Sequence, residues 1–264
     1  MNFINFQDSN VDLKVQQTSN DTYLRVNKLK SPIIDSMEFL QSSLNLDLYS
    51  EDFSIKSELT VYEDLDKNHS DRYEFILPRI NFLKKIENKT KLNGNFLFNS
   101  DNLVRNYETN IFEKTNINDL VFNSNPEITS NGFYNNYDFI IKNVNSDTQN
   151  SSSYKEDGNN YLSGLVQFNS SLPLIKESNG YRNILKPKFA LKISPDNTKD
   201  MKDDEVRIDV DNIYNLNRIS SNDTIEGGAS LTYGSDFTIF DGSDSREVFG
   251  LKIANNLRLE ENKD

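Results

Sequence analysis

The chain has no cysteine, no tryptophan and a single histidine, His69. Without cysteine there is no disulfide framework and no thiolate metal site within these 264 residues. One histidine and no cysteine also exclude the usual nucleophile–base pairs and a His-rich zinc site. His69 sits between Asn68 and Ser70 and reads as a surface residue of a polar turn. No apolar run approaches the roughly 18–20 residues of a membrane helix. Helical signals are nearly absent. Residues 36–40 could start a helical turn, but a strand continues better through them. The opening residues, Met1 to Asp8, lack the basic start and apolar core of a secretion leader. With tryptophan missing, any interfacial girdle must come from Tyr and Phe.

Positive charge is also scarce. There are 29 Lys and Arg against 41 Asp and Glu, a net charge of −12. Phosphate binding needs clustered Lys and Arg, so nucleic acid is excluded as a partner. An anionic lipid is not, because divalent cations bridge carboxylates and phosphates. Hydrophobic content is 35% and mean hydropathy −0.69, too polar for a packed globule of this size. Disordered chains and porin-like barrels with wet interiors both tolerate such polarity. Disordered chains are poor in aromatics; the 17 Phe and 12 Tyr here argue for the barrel.

What the chain has in quantity is alternation. Val11, Leu13 and Val15 alternate with Asp12, Lys14 and Gln16. Leu44, Leu46 and Leu48 alternate with Asn45, Asp47 and Tyr49. Phe53, Ile55, Leu59 and Val61 alternate with Ser54, Lys56, Glu58 and Thr60. A period of two gives strands with one apolar and one polar face. Alternation alone fits a soluble antiparallel sheet or a membrane barrel with its apolar face outward. Length favours the barrel, since several segments reach about 11 residues, the span of a tilted strand in a bilayer. Strands are predicted over 10–17, 22–29, 38–49, 53–63, 71–84, 91–100, two between 106 and 126, 132–145, 160–173, 181–194, 225–240 and 246–259. Leu44, Leu46, Leu48, Ile55, Leu59 and Val61 should share the outer face. Asn45, Asp47, Lys56 and Glu58 should share the inner one.

The predicted fold class is therefore all-β: a meander of about a dozen long antiparallel strands, forming an incomplete outer-membrane barrel. Residues 1–264 read as one partial barrel domain. The connections alternate in length, with tight turns at 50–52 and 87–90. Longer polar loops fall at 64–70, 145–160 and 195–224, as barrels with short periplasmic turns and long external loops require. Residues 101–131 show turn signals at Asn125-Pro126 and Asn131-Gly132 but no clean period.

Catalytic and metal chemistry finds no constellation. Acid–base work by two carboxylates needs a defined pocket, and nothing selects a pair in so acidic a chain. Residues 196–200 lack the Gly and terminal Glu of a calcium loop, and Asp203-Asp204-Glu205 reads as solvated. Gly227-Gly228 neither follows a buried strand nor opens a helix, so it is not a phosphate cradle. Asn20-Asp21-Thr22 is one of several chance triplets in an Asn-rich chain. No cofactor is expected. Arg218 stands out: it reads either as a surface arginine or as the anchor of an ordered loop held by Asp223 or Glu226. Asp223 is the first candidate.

Residues 206–234 hold the most distinctive residues: Asn217-Arg218, Asp223, Glu226-Gly227 and Tyr233-Gly234. This stretch resembles the signature of the LptD family of outer-membrane lipopolysaccharide-assembly proteins. Ile213-Tyr214 stands for the family's Leu-Phe, Ser221 replaces its Gly, and Thr224 replaces its Arg. Other pieces follow in the family's order: Asp21-Thr22-Tyr23-Leu24-Arg25, Ile76-Leu77-Pro78-Arg79-Ile80, Leu172-Pro173-Leu174, Ile184 to Lys188, and Ser194-Pro195.

The resemblance implies the middle of a very large barrel that inserts lipopolysaccharide into the outer leaflet. In such proteins the lipid leaves through a seam between first and last strands while the sugar passes through the lumen. Its implied partners are lipopolysaccharide, an LptE-like lipoprotein plug, a periplasmic bridge reached through an N-terminal domain, and the outer membrane itself. It implies no catalysis. Family members often carry disulfides to the periplasmic domain, and none can be made from these residues. A porin-like passive channel and a soluble or surface-attached β-rich adhesin are the alternatives. Taken literally, a chain without a leader is cytoplasmic; the resemblance makes it an internal fragment of an exported protein. Its first and last strands should then present unpaired edges, costly in lipid. Expressed alone, the chain is expected to aggregate rather than insert. Detergent refolding, followed by heat-modifiable gel mobility and protease protection, checks this. A compact, protected, ion-conducting monomer would point to the porin instead.

Overall fold

The computed structural model describes residues 6–156, 158–195, 208–219 and 221–259, with the side chains of His69 and Ser70 left out. The described chain is all-β. The first half contributes β1 (Asp8–Lys14), β2 (Phe39–Tyr49), β3 (Phe53–Asp64), β4 (Tyr73–Ile86), β5 (Gly94–Tyr107) and β6 (Ile111–Ser124). The second contributes β7 (Glu127–Ile128), β8 (Tyr134–Gln149), β9 (Asn159–Ser171), β10 (Leu174–Ser178), β11 (Tyr181–Ser194), β12 (Gly228–Asp241) and β13 (Glu247–Arg258). They form one sheet in the order β1-β2-β3-β4-β5-β6-β8-β9-β11-β12-β13, with β7 added to β8 and β10 to β11. Each long strand pairs with the next long strand in sequence, as a meander requires.

The chain divides into two compact units. The first comprises residues 1–86, 97–119 and 143–161; the second comprises 87–96, 120–142 and 162–264.

In the first unit, register keeps the predicted faces. Leu44 pairs with Leu59 and Leu48 with Ile55, while Asn45 pairs with Glu58 and Asp47 with Lys56. Leu13 and Val11 of β1 extend the leucine face. Exposure runs opposite to that of a soluble sheet: Leu44 and Leu59 are exposed, whereas their neighbours Ser43 and Thr60 are buried. Leu48 is the exception, being buried beside the 50–52 turn. Where Pro78 interrupts β4 the register shifts, opposite Glu58 and Thr60. Proline has no N–H to give the ladder, and such positions collect bulges.

The second unit shows the same inversion residue by residue. Lys142 is 2% exposed beside Ile141 at 45%; Gln167 is 1% beside Val166 at 54%; Lys192 is 3% beside Ile193 at 56%. In this unit Phe96, Phe139 and Tyr137, all half-buried, pack around the fully buried Phe122, whose ring stacks on Phe139 with centroids 5.2 Å apart. Gly94 leaves the space that the Phe122 ring fills.

Four expectations need correction. Residues 22–29 are not a strand: Tyr23–Val26 is a single helical turn, α1. The Asn20 side chain accepts from Thr22 N–H and starts it. Only Leu24 is buried there, against Leu40 and Leu65. Second, the 91–100 strand runs on to Tyr107, and the two strands placed between 106 and 126 are one, β6. Third, the loop placed at 145–160 is shorter, because β8 reaches Gln149 and β9 starts at Asn159. Asparagines at 102, 116, 118, 143, 145 and 160 occupy positions where alternation expects apolar residues, and they hide the period. Fourth, β7 and β10 were not anticipated; both are short additions beside turns. The 181–194 strand is found as predicted.

An arginine in place of Leu44, in the exposed apolar row, should destabilise the protein in a bilayer by about 2–4 kcal/mol if that row meets lipid near the midplane. Asp47→Asn on the opposite face should change stability by less than about 1 kcal/mol. Urea unfolding in lipid vesicles measures both.

Candidate functional site: a buried loop on the polar face

Within the second unit, β11 and β12 pair along their full length, Ser194 meeting Gly228. The chain between them must leave the sheet and return, and none of its described residues forms a strand. Asp209 begins the order: its carboxylate accepts from the N–H groups of Asp211 and Asn212, at 2.9 and 3.1 Å. Ile213 N–H then donates to Asp209 O, a helical turn that points Ile213 inward, where it is buried. Asn217 staples the return. Its amide donates to Thr224 O at 3.2 Å, and its Oδ1 accepts from Glu226 N–H at 3.3 Å.

Arg218 takes Glu226 as its carboxylate, not Asp223. Its Nε donates to Glu226 Oε2 at 2.6 Å and its Nη2 to Glu226 Oε1. Nη2 also donates to Ser230 Oγ at 3.2 Å. Asp223 is buried nearby and accepts from Ser221. A carboxylate three residues further on matches the arginine's planar fork with two parallel bonds. Burial by itself would push the Glu226 carboxyl up. The hydrogen bonds from Arg218 and the charges of Lys192 and Arg218 outweigh that and hold it below its ordinary value.

The sheet supplies what an irregular loop lacks. A loop buried without ladder partners leaves carbonyls unmet. Three strands answer with long donors: Lys142 Nζ reaches Asn222 O at 2.6 Å, Gln167 Nε2 reaches Tyr214 O at 2.8 Å, and Lys192 Nζ reaches Asn215 O at 2.8 Å. Lys192 Nζ also lies 3.4 Å from Glu226 Oε2. An apolar contact closes the loop from within, where Ile225, fully buried, packs with Ile140, Leu165, Val121 and Leu216. The Tyr214 ring stacks under Lys188, whose Nζ is 4.3 Å from its centroid. Its phenol lies over Gly234, in the space a Cβ would take. Burial, then the Asp236 charge, pushes that phenol up to about 12.

Of the signature residues, the structure brings together Asn217, Arg218, Glu226 and the buried Gly227, and sets Gly234 under Tyr214. Tyr233 is not with them; it is exposed on the other face of β12. Lys142, Gln167, Lys192 and Ser230 escaped the sequence reading. A polar residue flanked by apolar ones inside a strand marks the polar face, but nothing in it names a partner. Residues 196–207 and 220, including both acidic clusters, lie outside the described residues. Among the described residues no group of three His, Asp or Glu side chains could hold a metal.

An antiparallel meander that buries charge on one face and exposes leucine, isoleucine and phenylalanine on the other is an outer-membrane β-barrel protein sheet. The family follows from comparison: the family described as LptD, LPS transport system D, matches residues 2–264, and the chain belongs to it. This is a family of lipopolysaccharide transport and assembly at the outer membrane. No curated protein matches the chain.

Removing either partner of the Arg218–Glu226 pair strands a buried charge and should cost about 3–5 kcal/mol. In Arg218→Ala and Glu226→Ala the segment should become open to protease at pH 7. In the unsubstituted protein, Glu226 stabilises fully above the unfolded glutamate value of 4.5. That contribution is lost as pH falls through the lower folded value. Proteolysis should therefore stay constant from pH 7 to 5 and rise only below the usual glutamate range.

Proposed function

We propose that this chain is part of the barrel through which lipopolysaccharide is inserted into the outer leaflet, residues 1–264 forming part of one barrel domain. The family assignment supports the substrate. The single structural observation behind the reading is the inversion of the sheet: buried Lys142, Gln167 and Lys192 alternate with exposed Ile141, Val166 and Ile193. Lipopolysaccharide is amphipathic. A polar face for its sugar beside an apolar face for its acyl chains avoids dragging sugar through hydrocarbon.

In this reading the buried loop around Arg218 narrows the sugar's path and fixes the wall beside it. Asn217, Arg218, Asp223, Glu226, Gly227, Tyr233 and Gly234 serve structure rather than catalysis. The LptE-like lipoprotein and the periplasmic bridge are the partners that deliver substrate to it and plug it. A passive channel needs the same alternation but neither partner.

Depletion of the protein in cells should remove most newly made lipopolysaccharide from the surface, read by surface labelling, and leave it on the periplasmic side. Restoring the unsubstituted gene should reverse this. Unchanged surface lipopolysaccharide together with reduced uptake of small solutes would sink the transport reading in favour of a porin.

A further inference from the structure

In the first unit, the face that carries Leu44, Leu59, Ile55 and Phe82 does not stay apolar. Phe82 and Phe98 are in contact at 6.3 Å, which places Phe98, and with it Ser100 and Asn102, on that same face. From β5 onward, amides replace hydrocarbon there. Ser100 Oγ donates to Asn118 Oδ1 at 2.7 Å, and Asn102 Nδ2 to Ser100 Oγ at 3.2 Å. Asn116 Nδ2 donates to Asn102 Oδ1, and Asn118 Nδ2 to Asn116 Oδ1. Asn145 Nδ2 reaches Asn143 Oδ1 at 2.6 Å and Asn116 Oδ1 at 3.1 Å, and Asn160 Nδ2 donates to Asn145 Oδ1. The result is a hydrogen-bonded sheet of amides across β5, β6, β8 and β9, half-buried except for the exposed Asn160.

Such a surface does not suit hydrocarbon. A primary amide has two donors and two acceptor lone pairs. The ladder uses many of these internally but has no partner within it for the second N–H of Asn116 and of Asn160 and for one lone pair each of Asn118 and Asn102. Each unmet group costs several kcal/mol in the bilayer core. The ladder starts at mid-strand with Ser100 and Asn118 and runs toward the end that carries the 108–110 and 150–158 connections, reaching Asn102, Asn116, Asn145 and Asn160. In this unit the 24-residue connection between Lys14 and Phe39 lies at that same end, by strand reversal through β2 to β5. Long connections mark the external end of such sheets. Uncharged donors and acceptors held in one plane match the hydroxyl groups of sugars.

We propose that the amide ladder on β5, β6, β8 and β9 is a saccharide-binding surface that holds the headgroup sugars of lipopolysaccharide outside the hydrocarbon. The proposal rests on the lipopolysaccharide reading above and adds a site to it.

The test uses the protein purified in detergent from the outer membrane in which it is made. Its probes are fluorescent core oligosaccharide freed of lipid A, whole lipopolysaccharide, and lipid A alone, which lacks the core saccharide. Asn118→Leu with Asn145→Leu should raise the Kd for the oligosaccharide about 10-fold, the loss of one or two hydrogen bonds, and leave lipid A binding unchanged. Asn160→Leu, at the exposed rim and outside the central amides, should weaken oligosaccharide binding without disturbing folding, which heat-modifiable gel mobility monitors. Equal oligosaccharide affinity in both variants overturns the proposal. So does an unsubstituted protein that binds whole lipopolysaccharide and lipid A but not the oligosaccharide; that result spares the transport reading. Binding of none of the three probes overturns both.

Discussion

The structure depends on satisfying polar groups from within one face of a sheet. A soluble β protein buries hydrocarbon and gives its polar face to water. Here lysine, glutamine, serine and threonine are buried alongside Ile140, Val144 and Leu165, and an unmet buried polar group is costly. That cost explains the buried loop. The buried face carries the long donors Lys142, Gln167 and Lys192. The irregular loop carries carbonyls, at residues 214, 215 and 222, that those donors reach. Folding one onto the other satisfies both sets, with Arg218 and Glu226 supplying the charge balance and Ile225 the dry contact.

The same logic shapes the first unit. Arg72, in the turn before β4, pairs with Asp21 and Glu63, both at 2.7 Å, and its guanidinium is held well above its ordinary value by the hydrogen bonds it donates to those carboxylates. Asp21 is lowered in turn by its bond to Arg72. The long connection from β1 to β2 is thereby tied down. Gln16 accepts there from Ser31 Oγ at 2.8 Å and from Gln41 N–H at 3.1 Å. Both units thus use polar side chains as the internal cement that hydrocarbon provides in a soluble domain.

The fold was legible wherever the alternation was clean. Residues 38–63 read correctly because apolar residues recur at most second positions with polar ones between them. Residues 181–194 did so because Leu185, Phe189, Leu191 and Ile193 keep that period against Lys186, Lys188 and Lys192. The fold was illegible between 101 and 131, where asparagine stands on both faces and erases the contrast from which a period is read. The helical turn at Tyr23–Val26 was misread for a different reason. Four residues are too few to show a 3.6-residue period, and Tyr23, Arg25 and Asn27 happen to alternate with Leu24 and Val26. At the site, Arg218 and its need for a carboxylate could be seen in the sequence. The choice of Glu226 over Asp223 could not, because it turns on Asn217 drawing Glu226 N–H close and on Ser221 holding Asp223.

What the sequence determined alone is the class of the sheet. Long alternating strands, no cysteine and no membrane-length apolar run leave few architectures. The order of Asn217-Arg218, Glu226-Gly227 and Tyr233-Gly234 names the family in which to look. What only the tertiary structure decided is which face is buried, and by what. Alternation is symmetric, and a strand with lysine on one side and isoleucine on the other serves a soluble core as well as a membrane. The folded loop breaks that symmetry, because its carbonyls and its glutamate can be satisfied only by the donors of the polar face.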